Sequence, residues 1–241
     1  MSIDNYDEIT AFHYAAYRPP LHEKILSLAI PHDLKFNRGL DIGSGTGYSA
    51  SALSAYCDQV IGLEPSNEMR TLATPQPSVR YIEGSGESIP LTSELFDIVT
   101  LAGSLFYIDK TKLLAELNKV CRKSACIIVY DFELDLTAAL SFFGLKTGPR
   151  DSASNHNYDH EINLSSCDEL KKTGGLNDKI LLSLTHSELA HILLSLSERF
   201  QAIKKVHTSN YLHSEIENKL SFHNFSTVLS VNIFSSSYTF R

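Results

Sequence analysis

The 241 residues carry 28 Asp and Glu against 21 Lys and Arg, a formal charge of −7, and 43% of them are hydrophobic. That composition supports a full-sized core in one α/β domain and opposes a nucleic-acid backbone as partner. Cys57, Cys121, Cys126 and Cys167 have no C-x-x-C spacing and read as reduced thiols. MSIDNYDEITAF at the start is acidic and polar, unlike a secretory signal, and no apolar run reaches the ~20 residues of a membrane span. The expectation is a cytoplasmic protein with no nucleic-acid and no membrane partner, a monomer or homodimer.

In chain order, Arg38–Ile42 is a short apolar run ending in DIGSGTGY, and Tyr48–Tyr56 is a helix-compatible stretch of small residues. Gln59–Glu64 reads as a strand stopped by Pro65. A helix over Asn67–Leu72 and a strand over Val79–Glu83 follow, parted by Pro75 and Pro77. Phe96–Ala102 reads as strand, with Asp97 expected to bond nearby amides. Lys110–Val120 reads as a helix with Leu113, Leu114, Leu117 and Val120 on one face. ACIIVYDF is a strand buried on both sides. Repeated β-α-β order predicts an open parallel sheet covered by helices. Beyond Asp131 the pattern weakens: TGPRDSASNHNYDHEIN is polar, and a loop or small cap is expected there. A strand at Lys179–Leu184, a helix from His186, another around Tyr211–Leu220 and strand-like alternation in STVLSVNIFSSSYTFR close the chain.

The loop DIGSGTGY follows the first strand, where open α/β sheets bind ligands. Its glycines permit positive φ and let a ligand approach the backbone, and a helix N-terminus beyond it favours negative charge. A phosphate-binding P-loop needs Lys where Tyr48 stands. A dinucleotide fingerprint spaces its glycines G-x-G-x-x-G, and here they run G-x-G-x-G. S-adenosylmethionine, an adenosine without phosphate, is the remaining candidate.

Four features in order support it: Asp41 before the loop, Glu64 closing the second strand, GSGESIP after the third and LAGSLFYID after the fourth. DIGSGTGYSASALSAYCDQVIGLEPSNEM, with these motifs over residues 38–132, resembles the cofactor-binding half of class I S-adenosylmethionine-dependent methyltransferases. The resemblance implies an α/β Rossmann-like class I methyltransferase fold: a mostly parallel seven-stranded sheet with helices on both faces. A small cap or insertion follows strand five. In one domain over 1–241, an N-terminal cap helix would occupy 1–30, the cofactor core 38–132, the insertion 133–178 and the completion of the sheet 179–241.

The resemblance also implies roles. Gly43, Ser44, Gly45, Thr46 and Gly47 would line the methionine end, and Asp41 would brace the loop or reach toward the methionine amine. The Glu64 carboxylate has two oxygens suited to a vicinal ribose diol, and Pro65, Ser66 and Met69 would pack on adenine. Ser85, Gly86 and Glu87 would meet the adenine edge, although Ser85 stands where the family often has Asp. The backbone at Ala102 or Gly103 would face the amine.

FHYAAYRPPLHEKIL resembles the first helix of small-molecule enzymes related to trans-aconitate methyltransferase, which implies Tyr14, Tyr17 and Arg18 over the cofactor, with Arg18 pairing its carboxylate. Phe106 and Tyr107 would wall an acceptor pocket, Tyr14 beside them. CRKSAC replaces the usual proline-glycine-glycine turn before strand five. No catalytic base stands out. His156 and His160 have i, i+4 spacing, but a polar loop offers too few ligands for zinc. The expected function is methyl transfer to O, N or C of a small molecule, releasing S-adenosylhomocysteine. The alternatives are a non-catalytic S-adenosylmethionine-binding protein and, disfavoured by glycine spacing, an NAD-dependent dehydrogenase.

Overall fold

The computed structural model describes residues 20–92, 95–144, 158–195 and 212–241. In chain order these form α1 (Leu21–Ala29), β1 (Phe36–Ile42), α2 (Tyr48–Ser54), β2 (Cys57–Leu63), α3 (Asn67–Thr71), β3 (Val79–Ile82) and β4 (Phe96–Ala102). A 3-10 turn (Leu105–Tyr107), α4 (Lys110–Val120), β5 (Cys121–Leu134), α5 (Thr137–Phe142), β6 (Leu170–Ser183), α6 (His186–Leu194), α7 (Leu212–Phe222) and β7 (Val228–Phe240) complete the fold.

The chain divides into two compact units. The larger comprises 20–133, 158–178 and 232–241 and holds the site. The strand order is β3-β2-β1-β4-β5-β7-β6. β1 pairs in parallel with β2 and β4, β2 with β3, and β4 with β5, and an antiparallel hairpin ends the sheet. This is the α/β Rossmann-like seven-stranded fold expected.

β1 and β4 are buried because Leu40, Ile42, Ile98, Val99 and Leu101 leave no surface exposed, which only a strand covered on both faces demands. α4 turns Leu113, Leu114 and Leu117 into the same core, the face its leucine spacing predicts. Asp109 starts α4 by accepting from the amides of Thr111 and Lys112. Asp97 accepts from the Arg38 amide at 2.9 Å and pairs with Arg122 at 2.8 Å, tying the starts of β1, β4 and β5 together.

The smaller unit contributes 134–144, 179–195 and 212–231 among the described residues. Its own core joins Leu140, Leu189, Leu193, Ile216 and Leu220. α6 begins in a capping box between Thr185 and Glu188.

Two local expectations are corrected. CRKSAC is not a turn but the bulged start of β5: Phe96 aligns with Cys121 and Ile98 with Cys126, so the exposed Arg122, Lys123 and Ser124 form the bulge. β6 begins at Leu170 rather than Lys179, because it is a sheet-edge strand whose KKTGGLND, after buried Leu170, is exposed at all but the half-buried Leu176 and so lacks alternation; lysines on an edge block strand addition.

Candidate active site

β1, β2 and β4 end side by side, and the loop after β1 is stitched to β2 by the Gly43 and Ser44 amides, which both donate to Leu63 O at 2.8 and 3.1 Å. The three loop glycines have positive φ, but for different reasons. A side chain on Gly43 would meet Ser104 Cβ at 2.5 Å, and one on Gly47 would overlap the Tyr81 ring. Those two accommodate the protein's own side chains. At Gly45 (φ 53°) nothing among the described residues lies within 4 Å of a β-carbon position, so here the bare backbone faces space that they leave open.

Glu64, 8% exposed, reaches this point from the tip of β2. Its Oε2 accepts from the Gly45 amide and its Oε1 from the Ser66 amide, each at 2.9 Å. A carboxylate has about four lone-pair sites, so each oxygen keeps one. Arg70 donates to the Glu64 and Pro65 carbonyls at 2.6 and 3.0 Å, fixing the turn that leads into α3. Ser66 caps α3 by accepting from the Met69 amide, leaving Met69 half-buried beside exposed Pro65.

Asp41 lies beneath the loop, fully buried. Ser49 donates to its Oδ2 at 2.5 Å and Thr100 to its Oδ1 at 2.7 Å. Burial outweighs those two hydrogen bonds and, with Glu64 nearby, pushes its carboxyl up to about 6. Asp41 thus braces β1, α2 and β4 through its side chain. Thr46 and Ser44 are buried too, and Ser44 Oγ has no hydrogen-bond partner among the described residues.

Of the remaining cofactor candidates, Ser85 exchanges backbone hydrogen bonds with Ser88 in a tight turn, and Gly86 is buried in it, where a side chain would meet Ile108. The Glu87 carboxylate is engaged by the Asp109 amide and by Lys112 at 2.8 Å. Ala102 pairs with Tyr130, and Gly103 donates to Tyr130 O at 2.9 Å. Tyr14, Tyr17 and Arg18 lie outside the described residues, as does His156.

On the other side of Gly103 a second group gathers that the sequence reading did not assemble. Asp131, three residues before the end of β5, accepts from the Phe132 amide on Oδ1 at 2.8 Å. Its Oδ2 lies 2.7 Å from Tyr158 Oη and 2.8 Å from His160 Nδ1. The Tyr158 hydroxyl is also 2.8 Å from Gly103 O, so its one proton serves either acceptor in turn. Phe106 packs on Tyr158 with ring centroids 4.7 Å apart, and Tyr107 at 6.0 Å, forming an aromatic wall. The missed signal was Asp131 itself, an acid directly after the buried run of β5, much as Glu64 follows that of β2. His160 lines an open cleft of about 460 Å³ between β5, β6 and β7 and a water-sized void that reaches Gly103 and Asp131.

A seven-stranded sheet of this order, with a glycine loop after β1 and an acid at the tip of β2, is of the fold that the solved methyltransferase structures below share. Residues 40–129 match the sequence model of the methyltransferase domain family. The ubiquinone/menaquinone biosynthesis C-methyltransferase of Campylobacter jejuni is 29% identical over 48% of this chain and 52% of its own. The chain spans about half the length of the curated relatives it matches. Among solved structures, the YcgJ protein of Bacillus subtilis has a TM-score of 0.54 at 19% identity, covering 92% of this chain and 99% of its own. A S-adenosylmethionine-dependent methyltransferase from Thiobacillus denitrificans, in complex with S-adenosyl-L-homocysteine, has a TM-score of 0.52 at 15% identity, covering 100% of both chains.

Proposed function

We propose that the protein transfers a methyl group from S-adenosylmethionine to O, N or C of a small-molecule acceptor and releases S-adenosylhomocysteine. The observation that carries this reading is the Glu64 carboxylate held at the tip of β2 against the open backbone of Gly45. It keeps lone pairs for a ribose diol, beside a loop with room for a ligand. The donor, when bound, supplies an electrophilic sulfonium methyl.

The chain's own residues bind and orient. Glu64 grips vicinal hydroxyls, and Ser44 Oγ, buried without a partner among the described residues, meets a polar atom of the ligand. Gly43, Gly45, Thr46 and Gly47 shape the methionine end over Asp41. Pro65 and Met69 pack on adenine, whose edge meets Ser85 and Gly86, with Glu87 holding their turn against α4. Gly103, with Ala102 before it, faces the amine, and Phe106 and Tyr107 wall the acceptor. Tyr14, Tyr17 and Arg18 close over the cofactor, as kinship to trans-aconitate methyltransferase suggests. Transfer itself needs in-line alignment and exclusion of water. The proposal extends to a cytoplasmic protein, monomer or homodimer, working on small molecules rather than nucleic acid. Among the described residues no helix is long and apolar enough to cross a membrane.

Thermal-shift titrations with S-adenosylhomocysteine and with NAD in parallel test it. Stabilisation by S-adenosylhomocysteine is expected; stabilisation by NAD alone overturns the reading.

A further inference from the structure

Resting on the methyltransferase reading above, we propose that His160, held by Asp131, is the base that takes the acceptor's proton, so that the methylated atom is an oxygen or nitrogen carrying hydrogen.

The geometry sets the proton positions. An ionised carboxylate only accepts hydrogen bonds. Asp131 Oδ2 at 2.8 Å therefore takes the Nδ1 proton, which leaves Nε2 of the neutral ring as the acceptor atom. Among the described residues Nε2 has no hydrogen-bond partner. The ring is fixed by Tyr158 edge-on at 4.7 Å and Phe234 stacked at 6.5 Å. Tyr158, bonded to both Asp131 Oδ2 and Gly103 O, ties this pair to the end of β4. Gly103 lies next to Ser104, whose hydroxyl bonds Ile42 O beside the glycine loop at 2.5 Å. The base is thus built onto the strand tips that hold the methyl donor. His160 lines the cleft between β5, β6 and β7, and the proposal seats the acceptor there.

In the step, the acceptor's O–H or N–H bond breaks as its proton passes to Nε2. The lone pair on that atom forms the bond to the methyl carbon. The carbon–sulfur bond of the donor breaks, and its electron pair turns the sulfonium into a neutral thioether. The imidazolium left behind is stabilised by the Asp131 carboxylate, then returns its proton to solvent. The titratable groups around His160 are Asp131 and Tyr130 on β5, Tyr158 and Glu161 on its own segment, and Lys172 on β6.

The test uses the full chain and three variants, His160→Gln, Asp131→Asn and Tyr158→Phe. Calorimetry with S-adenosylhomocysteine comes first. No binding to the wild type sinks the methyltransferase reading itself, whereas binding retained within about threefold in the variants isolates the base. Nitrogen-15 NMR of the histidine ring, with His160→Gln identifying the signal, is expected to show Nδ1–H with an unprotonated Nε2; the opposite tautomer overturns the proposal. Labelled methyl transfer is then followed with catechol, 4-hydroxybenzoate, histamine and ethanolamine. Where any of them turns over, kcat is expected to fall by about 10²-fold or more in His160→Gln, the usual share of a general base, and less in Tyr158→Phe. The acid limb of the wild-type pH profile is expected to vanish in His160→Gln. Loss of less than threefold in kcat overturns the assignment. Where none turns over, the tautomer result decides alone.

Discussion

The two edges of the site are built from chain in different ways. The cofactor edge comes from one short stretch: Asp41, the loop to Gly47 and Glu64 belong to β1, β2 and the turns after them. The proposed acceptor edge is assembled from three separated segments: Gly103 and Phe106 after β4, Asp131 within β5, and Tyr158 with His160 on the chain leading to β6. On the function proposed above, the cofactor edge rests on backbone amides and one carboxylate, whose spacing is set by strand geometry. The proposed acceptor edge hangs on side chains from segments far apart in the chain. The difference predicts that the donor and acceptor edges are separable in this molecule.

The strongest way to break that separation is Glu64→Ala. Two hydrogen bonds to a charged group are worth about 1.5–3 kcal/mol each, so S-adenosylhomocysteine affinity is expected to fall by about 10²-fold or more in calorimetry. The Asp131–His160 ring signals should stay unchanged by NMR; if they move, the edges are coupled.

Asp41 comes next. Its folded value of about 6 lies above the 3.8 of an aspartate in water, so between these values the folded state binds more protons than the unfolded. The associated stability is complete below 3.8, is lost as pH rises through about 6, and amounts to about 3 kcal/mol at 1.36 kcal/mol per unit. Urea unfolding at pH 4 and 7 is expected to show that loss in the wild type and its absence from the difference in Asp41→Asn. Equal pH dependence in both would refute the buried-carboxylate account.

Within the cofactor edge, two glycine substitutions should part company. Gly47→Ala meets Tyr81 at a positive φ and combines overpacking of about 1–3 kcal/mol with left-handed strain. Gly45→Ala carries only the strain, about 1–2 kcal/mol, yet blocks the open side and is expected to weaken S-adenosylhomocysteine binding more than its stability loss accounts for. Denaturation and calorimetry on both variants separate space kept for the protein from space kept for a ligand.

The smallest effect is expected at Asp109, which belongs to neither edge. Asp109→Ala removes the cap of α4 and should cost ~1 kcal/mol while leaving S-adenosylhomocysteine affinity unchanged by calorimetry. A change in affinity would mean that the turn holding Ser85 and Gly86, fastened to Asp109 through Glu87, responds to the start of α4.

By itself the sequence determined the alternation from Arg38 to Phe132, because buried parallel strands must be apolar throughout and α4 must repeat its leucines at the helical period. It also marked Asp41, the glycine loop and Glu64, since a ligand bound at strand tips needs those groups at distances one β-α-β unit fixes. It did not mark the start of β6, where an exposed edge imposes no alternation, nor the bulge in CRKSAC, where charged residues in a strand look like a turn. Only the tertiary structure decided which glycine faces open space, because Gly43 and Gly47 are distinguished from Gly45 by Ser104 and Tyr81, residues remote in the chain. Only it joined Asp131 to Tyr158 and His160. A hydrogen bond between side chains from different segments leaves no period in the sequence to read.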